Sequence, residues 1–235
     1  LNKAADDGLI QPYEIPRKLI SVKEIPPTIT GLQDEELNKL ITLPIKENTD
    51  RWNARNLFLF AMYEGGIRIG DIIQLRWRNI VGDRLIYVMT KNGKQVNVIL
   101  VQEAKKILMR YKRQGQRPEH YIFPYLDSSA EYAKYLDYED RQKMPPDISK
   151  KLFETINARE ARIGMMLREI RALTGIPHLT FHTARHTFAL RAKEANVDNT
   201  TLKNIMQHSS LNTTETYVKK LDRRNEDTAM KVMYL

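Results

Sequence analysis

Polar and apolar positions alternate along this chain in blocks that predict helices before and after one short stretch of strands. Thr30 precedes GLQDEELNKL, whose early acids and later Lys39 complement the dipole of a helix. Asn53–Glu64 (NARNLFLFAMYE) predicts a strongly apolar helix for the core, and Gly65 and Gly66 break it. In the following IRIGDIIQLRW, Ile69, Ile72, Ile73 and Leu75 predict another packed helix. The period then changes. Arg84–Thr90 (RLIYVMT) and Lys94–Val101 (KQVNVILV) predict strands on either side of Asn92-Gly93, a hairpin signal. Helical spacing resumes at Gln102–Lys112. Asp127–Asp147 is polar, rich in Tyr and contains Pro145-Pro146, so it predicts a loop or an insertion. Further helices are expected over Ser149–Thr155, Ala161–Leu173, Thr183–Ala195, Asn199–Met206 and Thr213–Lys219. The expected class is mainly α with a small antiparallel β-sheet (α+β).

The start of the chain differs. Pro12, Pro16, Pro26 and Pro27 prevent a continuous helix. Residues 1–27 are therefore expected to hold the end of an upstream domain, a helix end around Leu1–Gly8, and an interdomain linker. Residues 28–235 are expected to form one domain. The chain has no initiator Met, no signal-like segment and no apolar run of about 18 residues. It is expected to be a piece of a cytoplasmic protein that does not span a membrane.

Charge narrows the class of partner. There are 38 Lys plus Arg against 29 Asp plus Glu, a net charge of +9, which favours a polyanion, with nucleic acid ahead of a membrane surface. The absence of Cys removes disulfides, thiolate nucleophiles and Cys metal sites.

Four short segments carry candidate chemistry. In His182-Thr-Ala-Arg185-His186 the spacing puts both imidazoles and the guanidinium on one helix face, which can present a cation and an imidazole to one anionic oxygen. A solvated basic face has the same pattern. Arg68 lies where the glycine break meets a helix, and Asp71 is placed to hold its guanidinium fork; an ordinary surface ion pair would look alike. Lys91 directly precedes the Asn-Gly turn, where a lysine can reach a phosphate or give up a proton, though turn lysines are common. Gln207-His208-Ser209-Ser210 is followed, nine residues after His208, by Tyr217.

Together, in this order and at these spacings, the segments resemble the tyrosine recombinase, or phage integrase, family. Its pattern is an arginine in G-x-R-x-x-[DE], a hairpin lysine, H-x-x-R-H, then G-H-S-S and a tyrosine. Arg68, Lys91, His182, Arg185, His208 and Tyr217 match it, as does Trp77. Gln207 stands where the family commonly has Gly, and the insertion near Asp127–Ile163 is longer than in compact members. The resemblance covers Thr28 to the end and implies the catalytic domain of a metal-independent, cofactor-free enzyme. Such an enzyme cuts and rejoins double-stranded DNA through a 3′-phosphotyrosyl bond, for a phage or another mobile element, in the bacterial nucleoid or from a phage genome.

The implied roles follow from what a phosphodiester demands: charge neutralisation at its oxygens and a proton for the leaving group. Tyr217 would be the nucleophile, His182 its base and Lys91 the proton donor. Arg68, Arg185 and His208 would hold the phosphate oxygens. Asp71 would orient Arg68, and His186 would brace its helix by packing. The resemblance implies a homotetramer on paired sites in the full-length protein. Two other readings stay open: a type IB topoisomerase-like activity, and a non-cleaving DNA-binding regulator on the same fold. The short helix after Tyr217, and a tail Leu221–Leu235 able to dock on a neighbouring subunit, favour recombination.

Overall fold

The computed structural model describes residues 30–207 together with 212, 214 and 215. The expected helix end and linker in residues 1–27, His208, Tyr217 and the tail Leu221–Leu235 lie outside the described residues, as does most of the expected helix Thr213–Lys219.

Helix α1 (Asp34–Thr42) opens on three acids, and the Gln33 N–H donates to Glu36 Oε2 at 3.0 Å, so a side chain satisfies one otherwise orphaned donor. Helix α2 (Asp50–Tyr63) is capped by Thr49, whose hydroxyl accepts the Trp52 N–H at 3.3 Å. Trp52, Leu57, Phe58 and Phe60 are buried in it, so the apolar segment is the central helix as expected. It lies against α4 (Gln102–Tyr111), α6 (Pro146–Thr174) and α7 (Phe181–Glu194).

Three strands form one antiparallel sheet in the order β1 (Ile80–Val81), β2 (Arg84–Val88), β3 (Gln95–Ile99). Leu85 pairs with Val98 and Tyr87 with Val96, which places Leu85, Tyr87 and Val96 in the core. The hairpin is confirmed. Its ladder ends at Val88 and Gln95, and Gly93, at φ +65°, closes the tip by donating to the Met89 carbonyl at 3.0 Å. Strand β1 was not anticipated: two residues are too few to show a period.

Three expectations need correction. The segment IRIGDIIQLRW is not one helix. Only Ile69–Ile72 (α3) is helical, and Trp77–Asn79 forms a separate 3₁₀ turn. Between them Arg76 pairs across to Tyr121 as an isolated bridge, which demands extended backbone. Arg76 itself is buried, donating from Nη1 to the Glu119 carbonyl at 2.6 Å and from Nη2 to the Tyr121 hydroxyl at 2.9 Å. The spans Ser149–Thr155 and Ala161–Leu173 are one continuous 29-residue helix, α6, that begins at Pro146 and ends at Gly175 in the left-handed region. It serves two cores in succession. Ile148 and Leu152 pack with Tyr132, Ala133 and Met144, whereas Ile163, Met166, Leu167 and Ile170 join the main core. Finally, Asp127–Asp147 is not a bare loop: it holds a 3₁₀ turn (Glu131–Lys134), whose Tyr132 and Ala133 enter that smaller core with Met144, and helix α5 (Tyr138–Gln142), which buries no residue. Helices α7 and α8 (Asn199–Met206) pack on each other through Ala189, Leu190, Leu202 and Met206.

Among the described residues, no helix is long and apolar enough to cross a membrane.

Candidate active site

The site is built where the chain leaves α2. Gly65 and Gly66 take φ of +79° and +72°, which side chains resist. Gly66 is needed for a second reason: a Cβ there would stand 2.8 Å from Arg185 Cγ and 2.9 Å from Arg185 Cα. This contact lets the Gly66 carbonyl accept from Arg185 Nη1 at 2.9 Å. Nη2 of the same side chain donates to the carbonyl of Met206, the last residue of α8, at 2.7 Å. Arg185 is 6% exposed, and a buried cation requires such partners. One guanidinium thus ties together α7, the turn leading to Arg68 and the helix end that precedes His208.

Arg68 comes two residues after Gly66, half-buried and still extended (φ −71°, ψ 149°) at the entrance to α3. Its Nη1 lies 3.8 Å from Met89 Sδ. Among the described residues it has no ion pair, so the expectation that Asp71 holds its fork is corrected. Arg68 lies outside the helix, so the offset of three residues does not bring the two side chains together. Asp71, buried, instead accepts the Thr90 backbone N–H at 2.9 Å. It therefore fastens the hairpin to α3 one residue before Lys91, which is exposed at the tip.

His182 and His186 share a face of α7 as the spacing required, with ring centroids 4.4 Å apart and planes at 88°. Desolvation, then Arg185 and Arg68, hold the His182 imidazole below its ordinary value. Burial first, and then His182 and Arg185, bring His186 down from 6.5 to about 4. Both rings are therefore neutral at neutral pH. The buried Tyr87 phenol is pushed up by burial and by Asp71, against the pull of Arg185 and Arg68. Both guanidiniums act on His182 and on Tyr87, and Arg185 is bonded to the Gly66 carbonyl two residues before Arg68.

Arg68, His182 and Arg185 thus lie within electrostatic reach of one another, and Lys91 is exposed on the hairpin tip next to Thr90, which Asp71 holds. His208 and Tyr217 lie outside the described residues. The sequence reading missed Glu64, at the end of α2. Its Oε1 accepts the Val101 N–H at 3.1 Å, and burial pushes its carboxyl from 4.5 up to about 8 despite that bond and Lys105. Its place beside a double-glycine break was the available signal. Among the described residues, no three His, Asp or Glu side chains gather where they could hold a metal ion.

A family model described as the phage integrase family matches residues 31–224. The tyrosine recombinase XerA of Thermococcus kodakarensis is 25% identical over 211 residues, an alignment covering 89% of this chain and 62% of that protein. The chain spans about three fifths of the length of the curated relatives it matches first. Among solved structures, a XerH site-specific recombinase bound to a palindromic difH substrate superposes with a TM-score of 0.56 at 18% identity, covering 86% of this chain and 53% of that one. The catalytic domain of bacteriophage HP1 integrase does so with a TM-score of 0.51 at 16% identity, covering 86% of this chain and 94% of that domain. At these identities the solved structures establish a shared fold.

Proposed function

The chain belongs to the phage integrase family, and from that premise we propose that it is the catalytic domain of a site-specific recombinase that cuts and rejoins double-stranded DNA. The observation that carries this reading is the locked Arg185, whose two carbonyl partners hold it beside Arg68 and His182. One anchored cation with a second, half-buried one near it suits a phosphodiester, whose transition state gathers negative charge on its non-bridging oxygens. His208 adds a hydrogen bond to the same oxygens.

Chemistry then divides among the remaining groups. The Tyr217 oxygen bonds to phosphorus while the bond from phosphorus to the 5′ oxygen breaks. The phenolic proton passes to His182, which is neutral and so able to take it. Lys91 gives a proton to the departing 5′ oxygen. Religation runs the same steps backwards, so the tyrosyl ester conserves the phosphodiester without another energy source. Because two guanidiniums neutralise the phosphate, the reaction needs neither metal nor cofactor. His186 stays neutral and supports His182 through ring contact.

The net charge of +9 supports the choice of DNA. Residues 1–27 are the end of an upstream DNA-binding domain and its linker, and 28–235 the catalytic domain; full-length protein acts as a homotetramer on paired sites in the cytoplasm, serving a phage or another mobile element. The test is incubation with a pool of nicked duplexes carrying randomised cores, with and without EDTA, followed by denaturing gels. Wild type forms an adduct that survives denaturation, and Tyr217→Phe forms none. Equal adducts from both would remove Tyr217 from its role, and an adduct abolished by EDTA would remove metal independence.

A further inference from the structure

Helix α5 rises from the polar insertion and reaches the hairpin that carries Lys91. The Tyr138 hydroxyl and ring lie 3.4–3.5 Å from the position of a Cβ on Gly93, so the ring rests on the hairpin tip two residues past Lys91. Arg141 Nη1 donates to Gln74 Oε1 at 3.3 Å. Gln74 Nε2 in turn donates to the Gly70 carbonyl at 2.6 Å and reaches Thr90 Oγ1 at 3.4 Å. Thr90 also gives its N–H to Asp71. The residue before Lys91 is thus held by α3 and by Gln74, which Arg141 fixes from the insertion side.

Helix α5 contributes no buried residue, and between it and the sheet lies a cleft of about 300 Å³ lined in part by Gln74, Thr90, Asp137, Tyr138 and Arg141. Contact with the hairpin therefore rests on a few polar side chains rather than on a shared core. Removing them uncouples the hairpin without opening the hydrophobic interior.

We propose that Tyr138 and Arg141 are positioning residues that hold the β2–β3 hairpin so that Lys91 meets the leaving oxygen. The longer insertion is then a brace for the general acid rather than a decoration. This rests on the role assigned to Lys91 above. A lysine on a free hairpin tip samples many positions, and proton transfer falls steeply when the donor is displaced by about 1 Å.

The experiment is single-turnover cleavage by the intact protein of nicked duplexes whose core is recovered from its own adducts. One set carries an ordinary phosphodiester at the cut, the other a 5′-bridging phosphorothiolate. The sulfur leaving group departs as a thiolate and needs no proton. Lys91→Ala is expected to lose roughly a hundred-fold or more on the oxygen substrate and to recover on the sulfur one. Arg141→Ala and Tyr138→Ala are expected to lose about ten-fold or more on oxygen and to match wild type on sulfur, with Arg141→Lys intermediate. A rescued Lys91→Ala beside Arg141→Ala and Tyr138→Ala variants that are either unaffected or equally slow on both substrates would overturn the brace alone. A Lys91→Ala protein slow on both would overturn the role of Lys91 and the brace with it. Wild type that cleaves neither would overturn the recombinase reading itself.

Discussion

At Gly66 the requirement for a glycine and the placement of Arg185 are one fact. A methyl group there meets Arg185 backbone, which cannot move without shifting α7, so the strain cannot be relieved by a rotamer change. Gly66→Ala is expected to cost about 1–3 kcal/mol in denaturant unfolding. It should lower adduct formation beyond what that loss explains, because the Arg185 anchor moves. Glu64 gives a prediction in pH. Its folded carboxyl titrates near 8 and its unfolded one near 4.5, so between those values the unfolded state binds fewer protons and stability falls as pH rises. Glu64→Gln is expected to flatten that decline and to raise the unfolding free energy at pH 8 by an amount on the order of 4 kcal/mol at most. A wild-type stability that is level across the window would contradict the buried, protonated carboxyl. Asp71 shows why residue spacing alone misled. The offset of three matters only inside a helix, and Arg68 is one residue outside it.

Among the elements, the long helix α6 departs most from expectation. Its middle, Thr155–Glu160, is largely polar, which breaks the apolar period and suggested a gap between two helices. The helix continues because its two apolar stretches face two different cores, and Ile156 in the intervening turn packs against both. Ala158 is exposed in that turn. Ala158→Pro is expected to destabilise by about 3 kcal/mol or more in thermal melts followed by circular dichroism, whereas a true gap would accept proline with little loss. The hairpin, α2, α7 and α8 were legible because each has a clear period and a recognisable start or stop, such as Asn92-Gly93 or Gly65-Gly66. Strand β1 and α5 were not, since two to five residues carry no period and their stability comes from what they pack against.

For the whole molecule, the positions brought near one another are far apart in sequence: 68 on one side, 182 and 185 on the other, with 91 on a hairpin fastened to the helix that follows Arg68. The order of motifs announced their chemistry, but nothing local announced how they meet. That depends on a glycine turn crossing α7, a carboxylate crossing to a hairpin, and one guanidinium bonded to two distant carbonyls. Nothing in the sequence tied Arg141 or Tyr138 to the hairpin, because they lie in a polar stretch with no motif, and only folding brings Tyr138 to its tip and Arg141 to Gln74. The most direct check on the account is to identify the amino acid that carries DNA after cleavage. Adduct from the nicked duplexes is digested with nuclease and trypsin, and the peptide bearing residual nucleotide is sequenced by mass spectrometry. The expected result is a nucleotide on Tyr217 within the peptide Asn204–Lys219, lost when Arg185 is replaced by Ala. Nucleotide attached to any other residue, or attached with full yield in Arg185→Ala, would contradict it.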